Sequence, residues 1–141
     1  MTLLDKIHDD PLCVRDMADS DRAKAAEILG DLAGGTFPAD FLPVTGVAVE
    51  HFGKAVCYLP IYLESTSSVA VLGHFVSVPG FNKFLLDEAA ELAINSAKIF
   101  AKRHGKRFAL SVFGCRSVNR IADRCGFVTT ENIEEKIFNL E

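Results

Sequence analysis

The chain has 141 residues, 49% of them apolar and 24% charged, with 15 Lys and Arg against 19 Asp and Glu for a formal net charge of −4. That length holds one sizeable core and not two, the mixture is that of a folded chain and not a disordered one, and the acidic total gives no global attraction to nucleic acid, which is not an expected partner. Four cysteines without a CxxC pair and four histidines without an HxxxH pair suggest no metal site and no disulfide framework, and no apolar run or leader pattern points to a membrane, so a reducing, cytoplasmic setting is expected.

Residues 1–141 read as a single domain in which 1–11 form an N-terminal extension. Leu12 to Met17 is a short apolar-rich segment, read as a strand, ending in a polar cluster where Ser20 is placed to cap a helix with Asp21 near its positive end. Ala25, Ile28, Leu29 and Leu32 fall at i, i+3, i+4 and i+7, one face of a helix stopped by Gly34 and Gly35. Residues 36–43, with Pro38 and Pro43, read as irregular. Three β-rich segments follow, 44–52, 53–63 and 68–78, and their short polar connections predict consecutive antiparallel strands. Pro60 cannot donate to a ladder and Gly73 weakens one, so each marks an edge, a bulge or a splayed stretch. A long helix is predicted over 82–104, acidic early at Asp87, Glu88 and Glu91 and basic late at Lys98, Lys102 and Arg103, as the macrodipole favours, with Gly105 to close it. Arg107 to Phe113 reads as a buried strand, 116–125 as a short helix stopped by Gly126, and 127–130 and 136–140 as further strands. The order predicts an α/β (α+β) class with a mixed, mostly antiparallel sheet flanked by helices.

Three stretches carry a resemblance to a known family: CVRDMADSDRAKAAEIL (13–29), HFVSVPGFNKFLLDEAAEL (74–92) and CRSVNRIADRCGF (115–127). In order and spacing they resemble the opening strand and helix, the phosphate-binding turn and the late helix of the GCN5-related N-acetyltransferases (GNAT). The resemblance implies the GNAT-like acyl-CoA N-acyltransferase fold, acetyl-CoA or another acyl-CoA as cofactor between two splayed strands, and an amine as substrate. It also implies that Val76 and Val78 on the strand, and Gly80, Phe81, Asn82 and Lys83 in the turn, border the cofactor.

The family's turn is (R/Q)xxGx(G/A), its small residues letting the backbone approach the phosphates. Aligned on Pro79, those positions hold Asn82, Leu85 and Asp87, so the signature is absent. Leu85 is a steric objection, and Asp87, about 6 Å from a phosphate charge, would cost roughly 1 to 3 kcal/mol. Gly80, the amides of Phe81 to Lys83 and the Lys83 ammonium are left as a different anion cradle, against the plainer reading of a strand-to-helix turn.

On the late helix the family's tyrosine acid falls on Ala122 and its frequent asparagine on Cys115. Cys115 is then a thiol acid or nucleophile, or else a buried, inert cysteine. Glu50 and His74 are the candidate bases. Alternation sets His74 on the face of Leu72 and Val76, which also suits a hydrogen-bonded core histidine, and sets Glu50 with Ala48 and Phe52, which also suits a solvated position. Arg116, Arg120 and Arg124 form one stripe, from which Arg120 would meet the 3′-phosphate of CoA unless the stripe is an outer solvated face. Two readings follow: a GNAT-like acyltransferase with an eroded cofactor turn, or a catalytically inert pseudoenzyme, a binding or structural protein resembling small internal proteins of some tailed bacteriophages. A C-terminal strand at a sheet edge would also offer a route to a homodimer.

Overall fold

The change of hydrophobic period from 3.6 to two and back is realised in the computed structural model, which describes residues 12–130. β1 (Leu12–Asp16) leads to α1 (Asp19–Ala33), a 3-10 turn at Ala39–Phe41, β2 (Gly46–His51), β3 (Lys54–Leu63), β4 (Val69–Gly73), β5 (Val76–Ser77), α2 (Lys83–Arg103), β6 (Phe108–Val112) and α3 (Arg116–Arg124). The strand expected at 136–140 lies outside the described residues, and 127–130 form no strand among them. The sheet runs β1-β2-β3-β4-β6 with β5 also on β3. All pairings are antiparallel except that of β4 with β6, which is parallel and is bridged by α2 as the crossover.

The segment 68–78 is two strands, not the expected one. β4 pairs β3 with Ile61 opposite Leu72, whereas β5 pairs it with Tyr58 opposite Val76, one residue out of step. The cause lies in β3. The Ile61 N–H donates towards β2, to the Thr45 carbonyl at 3.0 Å, and the Val56 carbonyl accepts the Val78 N–H at 2.8 Å on the other side. By alternation the Pro60 nitrogen faces the break between β4 and β5 and has no hydrogen to give. The surplus residue is absorbed around His74, whose φ of 55° lies in the left-handed region that side-chain-bearing residues seldom adopt. Past this bulge the faces exchange: Leu72 packs in the core under α2 and Val76 in the core under α1. The expectation that His74 shares one face with both is therefore corrected.

α2 presents Ala89, Ala90, Ala93, Ile94, Ala97 and Ala101 to Val47, Val49, Leu59, Ile61 and Leu72, and α3 adds Val118, Ile121 and Ala122. A helix faced with methyl groups can lie close on a sheet. On the other face, Ala25, Ala26 and Ile28 of α1 pack with Leu42 over Ala48, Tyr58 and Val76. Leu32, expected on that face, is exposed: the chain folds back over Gly30, where a Cβ would stand 2.9 Å from the Gly35 carbonyl oxygen, and Leu32 lies about 200° round the helix from it. β6 is likewise not buried as expected: it is last in the order of the described strands, and Phe108 and Leu110 are 57% and 45% exposed.

α1 is capped at Ala18 and not at Ser20. Asp21 does the work instead: its carboxylate accepts the Ala18 N–H at 2.8 Å and takes the Arg15 guanidinium at 2.5 and 2.9 Å. Arg15 also donates to Glu50 at 2.8 Å, so one cation ties β1, β2 and the start of α1. Those Arg15 hydrogen bonds, ahead of burial, which opposes them, hold the buried Asp21 carboxyl below its ordinary 3.8. Asp21→Asn should lose about 2 kcal/mol of stability in urea unfolding at neutral pH. A carboxyl that titrates lower in the folded chain stabilises fully above its unfolded value and loses that contribution as pH falls through its folded value. The gap between the wild type and Asp21→Asn should therefore close on acidification below 3.8.

Candidate functional site

β4 and β6 pair from Val69 opposite Phe108 to Gly73 opposite Val112. Beyond that point β5 stays on β3, while the chain leaving β6 turns through Phe113 and Gly114 into α3. The two paths part there and leave a fork in the sheet, with His74 at its root.

Two helix starts stand at the mouth. On one side Gly80 takes a φ of 105°, a conformation suited to glycine, and brings the chain to Asn82, whose Oδ1 accepts the Leu85 N–H at 2.9 Å as the cap of α2. Among the described residues the N–H groups of Gly80 to Phe84 donate to no backbone carbonyl, so they point out at the positive end of a 21-residue helix, as an anion site requires. Phe81 and Leu85 pack against the α2-side core, which turns the Leu85 side chain away from the turn. Lys83 Nζ bonds to Asp87 at 2.9 Å, so the Asp87 charge is balanced and the Lys83 ammonium is engaged by it.

On the other side Cys115 stands at the N-cap position of α3. It is exposed, with Sγ 3.0 Å from Ser117 Oγ. The Ser117 hydroxyl first, then the Val118 N–H, hold this thiol below its ordinary 9.0, and Lys83 across the mouth adds to the effect. Burial drives two other cysteines the opposite way: Cys57 is pushed up to about 12 and Cys125 is raised. Asn119 Nδ2 donates to the Phe113 carbonyl at 2.8 Å and closes the turn before α3. Further along, Lys98 donates to the Cys125 carbonyl at 2.6 Å and Arg124 pairs with Glu91 at 3.7 Å. These contacts, with Lys83 near Cys115, mean that α2 and α3 run parallel and share the mouth at their positive ends.

The two base candidates are separated. His74 is at the root of the fork, its Nδ1 3.1 Å from Tyr62 Oη, and Tyr62 in turn reaches the Phe41 carbonyl at 3.4 Å. The His74 ring packs edge-on against Phe37 and Phe41, with centroids 5.7 and 5.4 Å away. Glu50 is on β2, held by Arg15, with β3 between it and β5, a lateral gap of about 10 Å at the usual strand spacing. The fork thus collects His74, Val76, Val78, Gly80, Phe81, Asn82, Lys83 and Cys115. Glu50 stands apart, and Arg120 is exposed on α3 one turn before Arg124. Ser117 was not among the sequence candidates; its position two residues past a cysteine at the N-cap position of a helix was the available signal. Among the described residues no group of three His, Cys, Asp or Glu is placed to hold a metal, and no helix is long and apolar enough to cross a membrane.

No protein-family model and no curated protein sequence matches the chain. Solved structures do. An aminoglycoside N-acetyltransferase in complex with CoA matches with a TM-score of 0.64 at 16% identity, over 92% of this chain and 95% of that one. A ribosomal-protein-alanine N-acetyltransferase from Brucella melitensis biovar Abortus gives 0.60 at 12% identity over 91% and 100%, and an acetyltransferase of Trypanosoma brucei gives 0.63 at 15% over 91% and 100%. At such identities the likeness speaks for the fold, which is the expected GNAT acyl-CoA N-acyltransferase fold.

The cysteine environments have a direct readout, because the thiolate is the reactive form. At pH 7.5 iodoacetamide should label Cys115 several-fold faster than the exposed Cys13 and leave the buried Cys57 and Cys125 unlabelled in the folded chain, as followed by mass spectrometry. Ser117→Ala should slow Cys115.

Proposed function

We propose that the protein is an acyl-CoA-dependent N-acyltransferase, with acetyl-CoA as the first cofactor to test and a primary amine as acceptor. The observation that carries this reading is the fork, opened by the Pro60 bulge beside two helix starts. β5 pairs only β3 among the described strands, and since the Val78 N–H is turned to β3, alternation leaves the peptide groups of Ser77, between Val76 and Val78, open to an extended chain such as pantetheine. The N–H groups of Gly80 to Phe84, with the α2 dipole, would hold the pyrophosphate, and Arg120 would meet the 3′-phosphate.

Bound acyl-CoA supplies its acyl group as an activated thioester. The chain's own part is orientation and proton handling. Cys115, its thiol held closer to ionisation, would return a proton to the departing sulfur in the role the family gives to the tyrosine that is Ala122 here. His74, oriented through Nδ1 by Tyr62, is the base at the fork, and Glu50 the more distant one. The four free thiols fit a reducing, cytoplasmic setting.

One observation favours the second reading, an inert GNAT-fold binding or structural protein, phage-encoded if the resemblance to phage internal proteins holds. The Leu85 N–H is taken by Asn82, and Asp87 sets a carboxylate in the first turns of α2 with Lys83 engaged on it.

Thermal melting separates the readings: acetyl-CoA at 100 times its Kd should stabilise the fold by about 2.7 kcal/mol, whereas an unmoved melting temperature at millimolar acetyl-CoA would leave the inert protein. Asp87→Asn should remove a like charge and release Lys83, tightening CoA about three- to tenfold in calorimetry. Unchanged affinity would mean that the α2 turn does not hold the phosphates.

A further inference from the structure

The α1 face of the sheet carries one negative charge that nothing balances. Arg15, Ala48 and Tyr58 stand side by side across β1, β2 and β3. Glu50, two residues on from Ala48, is then the diagonal neighbour of Tyr58 on the adjacent strand, a separation of about 7–8 Å that long side chains close. Two carboxylates, Asp21 and Glu50, share the one guanidinium of Arg15. Both Asp21 oxygens are engaged, by Arg15 and by the Ala18 N–H, whereas Glu50 uses only Oε2. The cluster is left with a surplus charge and an open carboxylate oxygen, on a side chain that is 25% exposed.

The Tyr58 hydroxyl lies among the same charges. The residue is 4% exposed, in the core with Ala25, Ala26 and Ala48, and its hydroxyl makes no hydrogen bond to any described residue. A buried phenol without a partner is a cost that folded chains normally avoid. Burial first, then the Asp21 carboxylate, raises this phenol above its ordinary 10.0, with Arg15 opposing and Cys57 and Glu50 adding. Such influences fall off with distance, so the hydroxyl is near the carboxylates and the guanidinium.

We propose that Glu50 and Tyr58 bind a protonated primary amine, an alkylammonium group that donates one N–H to Glu50 Oε1 and another to Tyr58 Oη. The ammonium balances the surplus charge and gives the phenol its partner. Ala55, opposite Glu50 in the ladder and packed against the α1-side core, is the apolar surface beside the alkyl chain. Two oxygens are too few for a divalent metal ion, and among the described residues no group of three His, Cys, Asp or Glu is placed to hold one. The inference does not rest on acyl transfer at the fork.

The chain has two tyrosines, which makes an NMR titration of the full chain, labelled at the hydroxyl-bearing carbon of tyrosine, a direct test. At neutral pH n-butylammonium chloride should move the Tyr58 resonance saturably in the millimolar range, with Tyr62 as the reference. Tetramethylammonium, which has the charge and no N–H, should leave Tyr58 unmoved at the same ionic strength. In calorimetry Glu50→Gln, which keeps an oxygen for Arg15, should weaken n-butylammonium about tenfold, and Tyr58→Phe about three- to tenfold. Tyr58→Phe should also unfold at the same urea concentration as the wild type or a higher one, because the lost hydroxyl has no protein partner. The wild-type titration needs neither variant to fold. No saturable shift at Tyr58, an equal shift with tetramethylammonium or at Tyr62, unchanged affinity in either variant, or a lower urea midpoint for Tyr58→Phe would each overturn the assignment, the last by showing that a water or a protein group already serves the hydroxyl.

Discussion

Pro60 withholds one hydrogen bond from the middle of the sheet, and the effect spreads strand by strand. The β3–β4 ladder ends at Ile61 and Leu72 and resumes on β5 one residue out of register. β6 follows β4 and has no partner in β5, so the sheet forks. A proline in a central strand is normally excluded because it leaves a ladder incomplete. Here it is fully buried, and the incomplete ladder coincides with the opening towards both helix starts. The left-handed backbone of His74 absorbs the offset, braced by Phe37, Phe41 and Tyr62.

Environment, more than residue type, sets the chemistry around that opening. Cys57 and Cys115 are the same side chain, one buried and held as a thiol, the other at a helix start with a hydroxyl and an amide to favour its thiolate. Carboxylates divide in the same way. Asp21 is tied to Arg15 and serves the fold, Glu50 shares that cation, and Asp87 is balanced by Lys83 at the mouth. Negative charge near the fork is thus neutralised locally, which leaves the exposed N–H groups of the α2 turn as its dominant electrostatic feature.

What could be read from the sequence was what adjacent residues decide. The Asn82 and Gly34 helix ends, the hairpins and the long amphipathic helix each follow from local periodicity and caps, and the turn from Val78 to Lys83 was found because its residues are contiguous. What escaped depends on neighbours across the sheet. The split of 68–78 follows from an N–H missing on another strand. Asp21, and not Ser20, secures α1 because Arg15 lies beside it in the folded chain. Glu50 meets the same arginine through the β1–β2 register, in which Arg15 faces Ala48 and Cys13 faces Glu50. The exposure of Phe108 and Leu110 goes with β6 being last among the described strands, a place in the order that no periodicity encodes.

The alanine face of α2 has a mechanical consequence. Lys83 and Ala101 are 18 residues apart, about 27 Å of stiff rod at 1.5 Å per residue, whose fully buried face is alanine apart from Ile94. An added methylene at Ala97 or Ala101 would pry up the far end, and the rod would pivot and swing the Gly80 turn against the fork. Evolution could therefore retune the spacing of this cleft from its most remote buried positions, as a lever moves a load, without touching a residue that borders it.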